Sequence, residues 1–188
     1  MRKLTYFVAS TIDGFVAGPD GGDPSGPDGL FVFEGGHMNA ILEDWPDILP
    51  APAREALGID PPNRRFDTVL EGRASYEVGL AAGVSDAYPH LEHYVFSRTL
   101  TKCPGPRVKL TADDPVETVR ELKRRDGLGI WLCGGGTLAN ALRAEIDELV
   151  VNCTPSSWAT ASRCSAASSV ANGSTSPIRR STTAGSCT

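Results

Sequence analysis

The sequence predicts an α/β fold in which helices cover both faces of a mostly parallel sheet. Over residues 1–151, short apolar stretches of strand type alternate with helix-type stretches, and this alternation is typical of βαβ units. The chain has 188 residues, 40% of them hydrophobic. That length suits one domain with a sizeable core.

The predicted elements follow one another from a first strand over residues 4–9. Residues 18–29 are dominated by Pro, Gly and Asp, which predicts a long loop. Helices are predicted over residues 37–45 and 53–57, and further strands over 66–70, 93–97 and 129–133. The clearest helix covers 114–126, with Asp113 or Asp114 as its cap, Pro115 in its first turn and Gly127 as its stop.

Composition narrows the class of protein. The formal net charge is -5 and no Lys/Arg patch is present, so we expect no nucleic-acid partner. The apolar stretch at the N-terminus is cut short at Asp13, which disfavours a secretion signal, and no stretch approaches the roughly 18–20 residues of a membrane span. A cytoplasmic location is therefore expected. The five cysteines form no Cys-x-x-Cys pair, so we expect no metal site, and Cys133 is interpreted as a small core residue.

Two strand ends carry arginine and hydroxyl groups. Gly72 and Arg73 follow the strand that ends near Leu70; glycine permits a tight turn, and a guanidinium can bind a phosphate in a bidentate manner. Ser97 and Arg98 end the next strand and offer a second phosphate contact. Taken singly, a surface arginine and ordinary turn chemistry explain these residues equally well.

A third strand end carries three consecutive glycines. Gly134, Gly135 and Gly136 follow a predicted strand and precede a helix that begins near Thr137. The pattern fits the G-x-G-x-x-A form of a dinucleotide-binding turn, in which the backbone approaches a pyrophosphate. A Rossmann dehydrogenase would carry these glycines after its first strand, so their late position disfavours that alternative.

Together, these strand ends resemble the dihydrofolate reductase superfamily, in the branch that includes the reductase domain of the riboflavin-pathway deaminase-reductases. Residues 9–17 are similar to the first strand and Ser-x-x-Asp-Gly turn of that branch. Residues 72–75 match its Gly-Arg-x-Ser/Thr corner, Ser97 and Arg98 lie where it binds the 2′-phosphate side of adenosine, and residues 134–136 match its pyrophosphate loop. The resemblance extends over residues 1–151.

The resemblance implies a three-layer α/β/α domain with a mixed, mostly parallel sheet, and a reaction in which NADPH transfers hydride to a C=N or C=O bond of a small heterocyclic or sugar-derived substrate. It is compatible with a homodimer. The residues implied in cofactor binding are Gly72, Arg73, Ser75, Ser97, Arg98, Gly134, Gly135, Gly136 and Thr137.

Asp13 is the candidate for the substrate-side acid, although Asp-Gly is equally a common turn. Dihydrofolate reductases take this carboxylate from the helix after the first strand, where Glu43, Asp44 and Asp47 lie; a solvated helix face is the interpretation preferred for them. The three histidines, His37, His90 and His93, show no spacing that indicates ligation or a triad.

The composition changes after Val151. Residues 152–188 are rich in Ser, Thr and Ala and contain no Asp, Glu or Lys, so we expect a disordered tail and a domain whose closing strands are missing. The alternative function is then a non-catalytic nucleotide-binding remnant.

We favour a displaced reading frame over an ordinary Ser/Thr-rich tail as the origin of this segment. Moving the frame by two nucleotides from Asn152 onward lets residues 153–169 encode LHPVVLGDGIPLFGGEF, which resembles the missing strand and turn of the family; Trp158, which has a single codon, forces a glycine at the next shifted triplet. We expect the coding DNA across codons 148–160 to yield this peptide in the shifted frame. DNA that does not encode it would leave an ordinary Ser/Thr-rich tail as the explanation.

Overall fold

The computed structural model describes residues 1–11, 13–17, 36–154 and 162–163. A central sheet of six strands lies in the middle of this part of the chain, and a separate pair of short strands lies beside it. The strands are β1 (Leu4–Thr11), β2 (Phe15–Ala17), β3 (Phe66–Gly72), β4 (Glu92–Phe96), β5 (Lys109–Thr111), β6 (Gly129–Cys133), β7 (Glu148–Thr154) and β8 (Ser162–Arg163).

The central sheet has the strand order β5-β4-β3-β6-β1-β7, and each neighbouring pair is parallel. The antiparallel pair is β2 with β8. The predicted α/β class and mostly parallel sheet are therefore confirmed. β5 was not predicted, because its three residues are too few to show a strand period.

Five α-helices and one 3₁₀ turn connect the strands. They are α1 (Gly36–Asp44), a 3₁₀ turn (Pro46–Ile48), α2 (Ala51–Leu57), α3 (Arg73–Ala81), α4 (Pro115–Arg124) and α5 (Gly136–Ala141). The helices predicted near residues 37–45, 53–57 and 114–126 are confirmed. In the described part of the chain, no helix has both the length and the apolar character needed to cross a bilayer.

Apolar side chains cover both faces of the sheet. On one face, Val119 and Leu122 of α4, Leu138 of α5 and Leu142, the C-cap of α5, pack on β1, β3, β4 and β6. On the other face, Trp45 beside the 3₁₀ turn stacks on Phe66 of β3, with 5.8 Å between ring centroids. Since parallel strands alternate their side chains between two covered faces, the inner strands β1, β3 and β6 are almost continuously buried, whereas the edge strands β5 and β7 are largely exposed or half-buried. The result is the predicted three-layer arrangement.

Asp47 in the 3₁₀ turn holds the amino end of β3. Its carboxylate is fully buried and accepts backbone N–H groups from Arg64, Arg65 and Phe66 at 2.6–3.1 Å. The preferred interpretation of Asp47 as part of a solvated face is therefore wrong: it satisfies three amides that the strand leaves without carbonyl partners. Glu43 and Asp44 are exposed, as expected.

β7 extends beyond the predicted boundary at Val151. Asn152, Cys153 and Thr154 continue its parallel pairing with Ala9, Ser10 and Thr11 of β1, because backbone pairing does not require an apolar pattern. Among the described residues no strand pairs with the outer side of β7. The loop predicted over residues 18–29 and the disorder predicted for most of 152–188 concern residues outside the described ranges.

Replacing Asp47 tests its structural role. We expect Asp47→Ala to lower the free energy of unfolding by about 3 kcal/mol or more, because three backbone amides lose the buried carboxylate that accepts their hydrogen bonds. The melting temperature should then fall on the order of 10 °C. Asp44→Ala, an exposed neighbour, is the control and should melt like the wild type; equal melting of the two variants in calorimetry would contradict this role.

Candidate functional site

Three strand ends meet at the carboxyl edge of the sheet. β4, β3 and β6 are adjacent and parallel, so the residues that follow them lie side by side. Ligands of open α/β sheets bind in the crevice beyond this edge. The residues predicted from the sequence as cofactor contacts lie in these three corners.

Gly72 ends β3 and is the N-cap of α3. No side chain caps this helix start. Arg73 begins α3, is about half exposed, and donates from Nη1 to Thr99 Oγ1 at 3.0 Å. Its Nε lies 3.5 Å from Glu77 Oε2 one turn later in the helix. The guanidinium therefore extends from the first corner to the loop after β4.

That loop is organised by Ser97. The buried Ser97 hydroxyl accepts the backbone N–H groups of Thr99 and Leu100 at 3.2 and 3.0 Å, which makes it a turn-forming residue as well as a candidate ligand contact. Arg98 is exposed and has no hydrogen bond or ion pair to the described residues. The bond between Arg73 and Thr99 brings the first two corners together.

The glycine corner follows β6. Gly134 and Gly135 have φ angles of 67° and 73°, a region that side chains other than glycine rarely adopt. A Cβ built on Gly134 would lie 2.7 Å from Ser75 Oγ in α3, and one built on Gly135 would lie 3.6 Å from the same atom. The third corner thus contacts the first, and only the missing side chains allow this approach. Gly136 begins α5, and Thr137 is exposed at its start.

The two helix starts at this edge differ from that of α4. Asp114 caps α4 with its own carboxylate, which accepts the amides of Val116 and Glu117 at 2.8 and 3.1 Å. The starts of α3 and α5 have glycine N-caps and no side-chain cap. An amide-lined helix start with a positive dipole end favours an anion, and the nine residues predicted as cofactor contacts lie at these two helix starts and in the loop after β4.

Asp13 lies in the turn that joins β1 to β2. Its carboxylate accepts a hydrogen bond from the Thr11 hydroxyl, which also accepts the amide of Phe15 at 2.9 Å. Gly14 completes the turn with a φ of 87°. The structure therefore shows Asp13 in its turn-forming role, half-buried, beyond the end of the strand next to β6.

The sequence analysis missed a buried network beneath the corners. His93 of β4, which is 1% exposed, lies with Nε2 2.9 Å from Glu71 Oε2 and Nδ1 3.0 Å from Asp86 Oδ1. The spacing of the histidines gives no indication of this network, because the partners of His93 are 22 and 7 residues away in the chain. The one available signal was Glu71 itself, a charged residue in an otherwise apolar strand end.

Cys133 borders this network at the end of β6. Its Sγ lies 3.9 Å from Tyr88 Oη. Burial, followed by the charge of Glu71, raises the pKa of the Cys133 thiol well above its ordinary value. A buried thiol that stays protonated is a poor nucleophile, in agreement with its interpretation as a core residue. Within the described ranges, no cluster of three or more His, Cys, Asp or Glu side chains is placed to hold a metal ion.

Comparison with solved structures identifies proteins of the same fold. One is described as a riboflavin biosynthesis protein from Shewanella sp. PV-4; it shares 20% sequence identity and superposes with a TM-score of 0.57, over 86% of this chain and 82% of that one. Another is a diaminohydroxyphosphoribosylaminopyrimidine deaminase/5-amino-6-(5-phosphoribosylamino)uracil reductase from Thermotoga maritima, with 14% identity and a TM-score of 0.57.

The second match covers 88% of this chain but 48% of the longer protein, so this chain corresponds in length to about half of it. No family model matches the sequence, and no curated protein matches it. At these identities the likeness shows the fold, and the predicted dihydrofolate-reductase-like α/β fold is confirmed.

The state of Cys133 gives a chemical test of the site. We expect iodoacetamide at about pH 8 to modify the exposed Cys153 while Cys133 stays unmodified, because Cys133 is partly buried and the raised pKa of its thiol keeps it protonated. Mass spectrometry of the digested protein measures both sites. The unfolded chain is the control, in which both cysteines should react alike; equal modification in the folded protein would contradict the buried assignment.

Proposed function

We propose that this chain is an NADPH-dependent reductase that transfers hydride to a C=N or C=O bond of a small molecule. The observation that carries the proposal is the contact of the glycine corner with α3. Gly134 approaches Ser75 so closely that a Cβ would collide with its hydroxyl oxygen. The backbone of the glycine corner therefore lies directly beside the Ser75 hydroxyl.

The pyrophosphate is assigned to this contact. Gly134, Gly135, Gly136, Thr137 and Ser75 would hold it, since glycine permits close approach of a diphosphate to the backbone and the two hydroxyls can donate to its oxygens. The fit is supported by the positive φ angles of Gly134 and Gly135 and by the glycine cap at Gly72, where a side-chain carboxylate of the kind that caps α4 would repel an anion.

The preference for NADPH over NADH is assigned to the first two corners. Arg73 donates to Thr99, and Arg98 directly precedes Thr99 in the chain; both arginines are exposed in a protein whose net charge is -5. Ser97 shapes the loop between them. A 2′-phosphate has two negative charges that such a pair of guanidinium groups can neutralise.

When NADPH is bound, its nicotinamide supplies the hydride. The chain must then deliver a proton to the nitrogen or oxygen of the reduced bond, and Asp13 remains the proposed source because it lies in the turn that follows β1, the strand beside β6. Thr11 holds this carboxyl in place through the hydrogen bond of the turn. The substrate class, a small heterocycle or sugar derivative, rests on the fold shared with the reductase from Thermotoga maritima.

The cofactor assignment predicts a selective loss of affinity. We expect NADPH to bind more tightly than NADH, and Arg73→Ala to weaken NADPH binding about tenfold or more, the equivalent of a charged hydrogen bond of about 1.5–3 kcal/mol, with little effect on NADH. Gly135→Val should abolish binding of both, because a β-branched residue at a φ of 73° is strained and fills the crevice. Fluorescence titration of the wild type and the two variants with each cofactor measures all six affinities.

Matched controls separate binding from folding. Arg120 is 51% exposed against 50% for Arg73 but lies on α4, so Arg120→Ala should leave both affinities unchanged. Gly58 has a φ of 64° at the end of α2, so Gly58→Val introduces similar strain away from the site. Equal affinity of the wild type for NADPH and NADH would contradict the 2′-phosphate assignment. Binding without NADPH oxidation across a panel of carbonyl and imine substrates would favour the non-catalytic alternative.

A further inference from the structure

The network of Asp86, His93 and Glu71 joins two charged side chains through one imidazole. Glu71 is 5% exposed and His93 is 1% exposed, so the network is sealed from water on its inner side, while the Asp86 side chain is 11% exposed at its outer end. Buried charges are costly unless each is paired. Each carboxylate of this network therefore needs a hydrogen-bond donor from His93 to offset the cost of its burial.

The geometry defines the charge on His93. Nε2 faces a Glu71 oxygen and Nδ1 faces an Asp86 oxygen, at 2.9 and 3.0 Å. A neutral imidazole has only one N–H to donate, whereas an imidazolium donates from both nitrogens. Only the charged form satisfies both carboxylates at once.

The surroundings of His93 contain further titratable groups. Tyr76 of α3 and Tyr88 of the loop before β4 lie edge-on to its ring, with centroids 6.0 and 5.8 Å away, and Cys133 of β6 lies beside Tyr88. Burial lowers the pKa of His93, but the hydrogen bonds and charges of Glu71 and Asp86 outweigh it, so that the pKa is raised above its ordinary value. The tyrosines and the thiol have raised pKa values and stay neutral near pH 7.

The same network is attached to the glycine corners. Glu71 directly precedes Gly72, and its register partner Cys133 directly precedes Gly134. At its other end Asp86 follows Ser85, whose carbonyl accepts the Tyr76 hydroxyl of α3 at 2.9 Å. The network thus fixes the start of α3 through Glu71 and the body of α3 through the Ser85–Asp86 loop.

We propose that His93 is a positioning residue for the dinucleotide corner, which it holds in place by carrying a positive charge between Glu71 and Asp86. This proposal rests on the proposed function, because the corner it positions is the one assigned to NADPH. As a direct consequence, the affinity for the cofactor depends on the protonation of His93, which is not itself one of the proposed cofactor contacts.

The sign of the pH dependence follows from the charge. Because the pKa of His93 is higher in the folded protein than in the unfolded chain, the stabilisation is complete below the ordinary histidine pKa of about 6.5 and is lost as the pH rises through the raised folded value. Above that value two carboxylates share one N–H, and one of the two contacts opens.

The experiment follows NADPH affinity from about pH 7 to about pH 9.5, together with the imidazole signals of the three histidines by NMR. We expect the wild type to lose roughly fivefold or more in affinity, the lower end of a usual coupling between sites, at the pH where the His93 signal titrates. His93→Gln should bind NADPH more weakly and without this pH dependence. His90→Gln, which removes a histidine outside the network, is the control and should follow the wild type.

Asp86→Asn gives a second test that a purely structural role would not pass. Removing one carboxylate lowers the pKa of His93, so the affinity loss should move to lower pH while the protein, altered only at the outer end of the network, stays folded. This variant and the wild-type titration carry the test even if His93→Gln does not fold. A wild-type affinity that stays constant while His93 titrates, or an Asp86→Asn profile identical to that of the wild type, would overturn the proposal.

Absence of NADPH binding in the wild type and in every variant would refute the proposed function. The positioning role of His93 can then be tested on the protein without ligand. Hydrogen-exchange protection factors of the amides of residues 72–76 should fall as His93 loses its proton, because the start of α3 is released. Protection factors that stay constant across the His93 titration would overturn the positioning role on their own.

Discussion

The parallel direction of the six central strands is the constraint on which the rest of this structure depends. Each chain connection must return across the sheet, so helices cover both faces, and the inner strands are buried from both sides. The two edges at the strand ends consequently differ in kind. Backbone amides and carbonyls at the amino edge need partners from the protein itself, while the carboxyl edge receives the turns into the helices.

Charged side chains close the amino edge. Asp47 accepts three amides before β3, and Arg2, 7% exposed, donates to the carbonyl of Leu128 at 2.6 Å and to Thr68 Oγ1 at 2.7 Å, besides its ion pair with Asp67. These contacts join the starts of β1, β3 and β6. The carboxyl edge, in contrast, is built from glycine and hydroxyl residues and is supported from below by Glu71 and His93. The buried hydrogen bonds that support this edge are therefore made beneath the crevice, between Glu71, His93 and Asp86.

The sequence predicted those elements whose signal is local. The apolar stretches that became β1, β3, β4 and β6 could be recognised, and so could the capped helix α4, because strand and helix periods and Asp114 act within a few residues. The glycine corner was recognised for the same reason. β5 could not be predicted from Lys109 to Thr111, since a three-residue edge strand is defined by its pairing with β4 rather than by a pattern of its own.

The roles of Asp47 and His93 could not be predicted because they depend on tertiary contacts. Asp47 meets amides 17–19 residues later in the chain, and His93 meets a carboxylate 22 residues earlier. From the sequence alone, Asp47 is assigned to a solvent-facing helix and His93 is given no role. The domain boundary at Val151 came from a change in composition, whereas β7 continues through backbone pairing that composition does not govern.

The pairing of β2 with β8 connects the end of the chain to its beginning. Phe15 is in register with Arg163, two residues after Asp13 and one after Gly14. The turn that holds the candidate acid thus has, as its neighbour in the sheet, a backbone segment encoded almost at the other end of the chain. Ser162 and Arg163 are for this reason the strand neighbours of the segment that follows the Asp13 turn, so a change that displaces β8 would remove the antiparallel partner of β2.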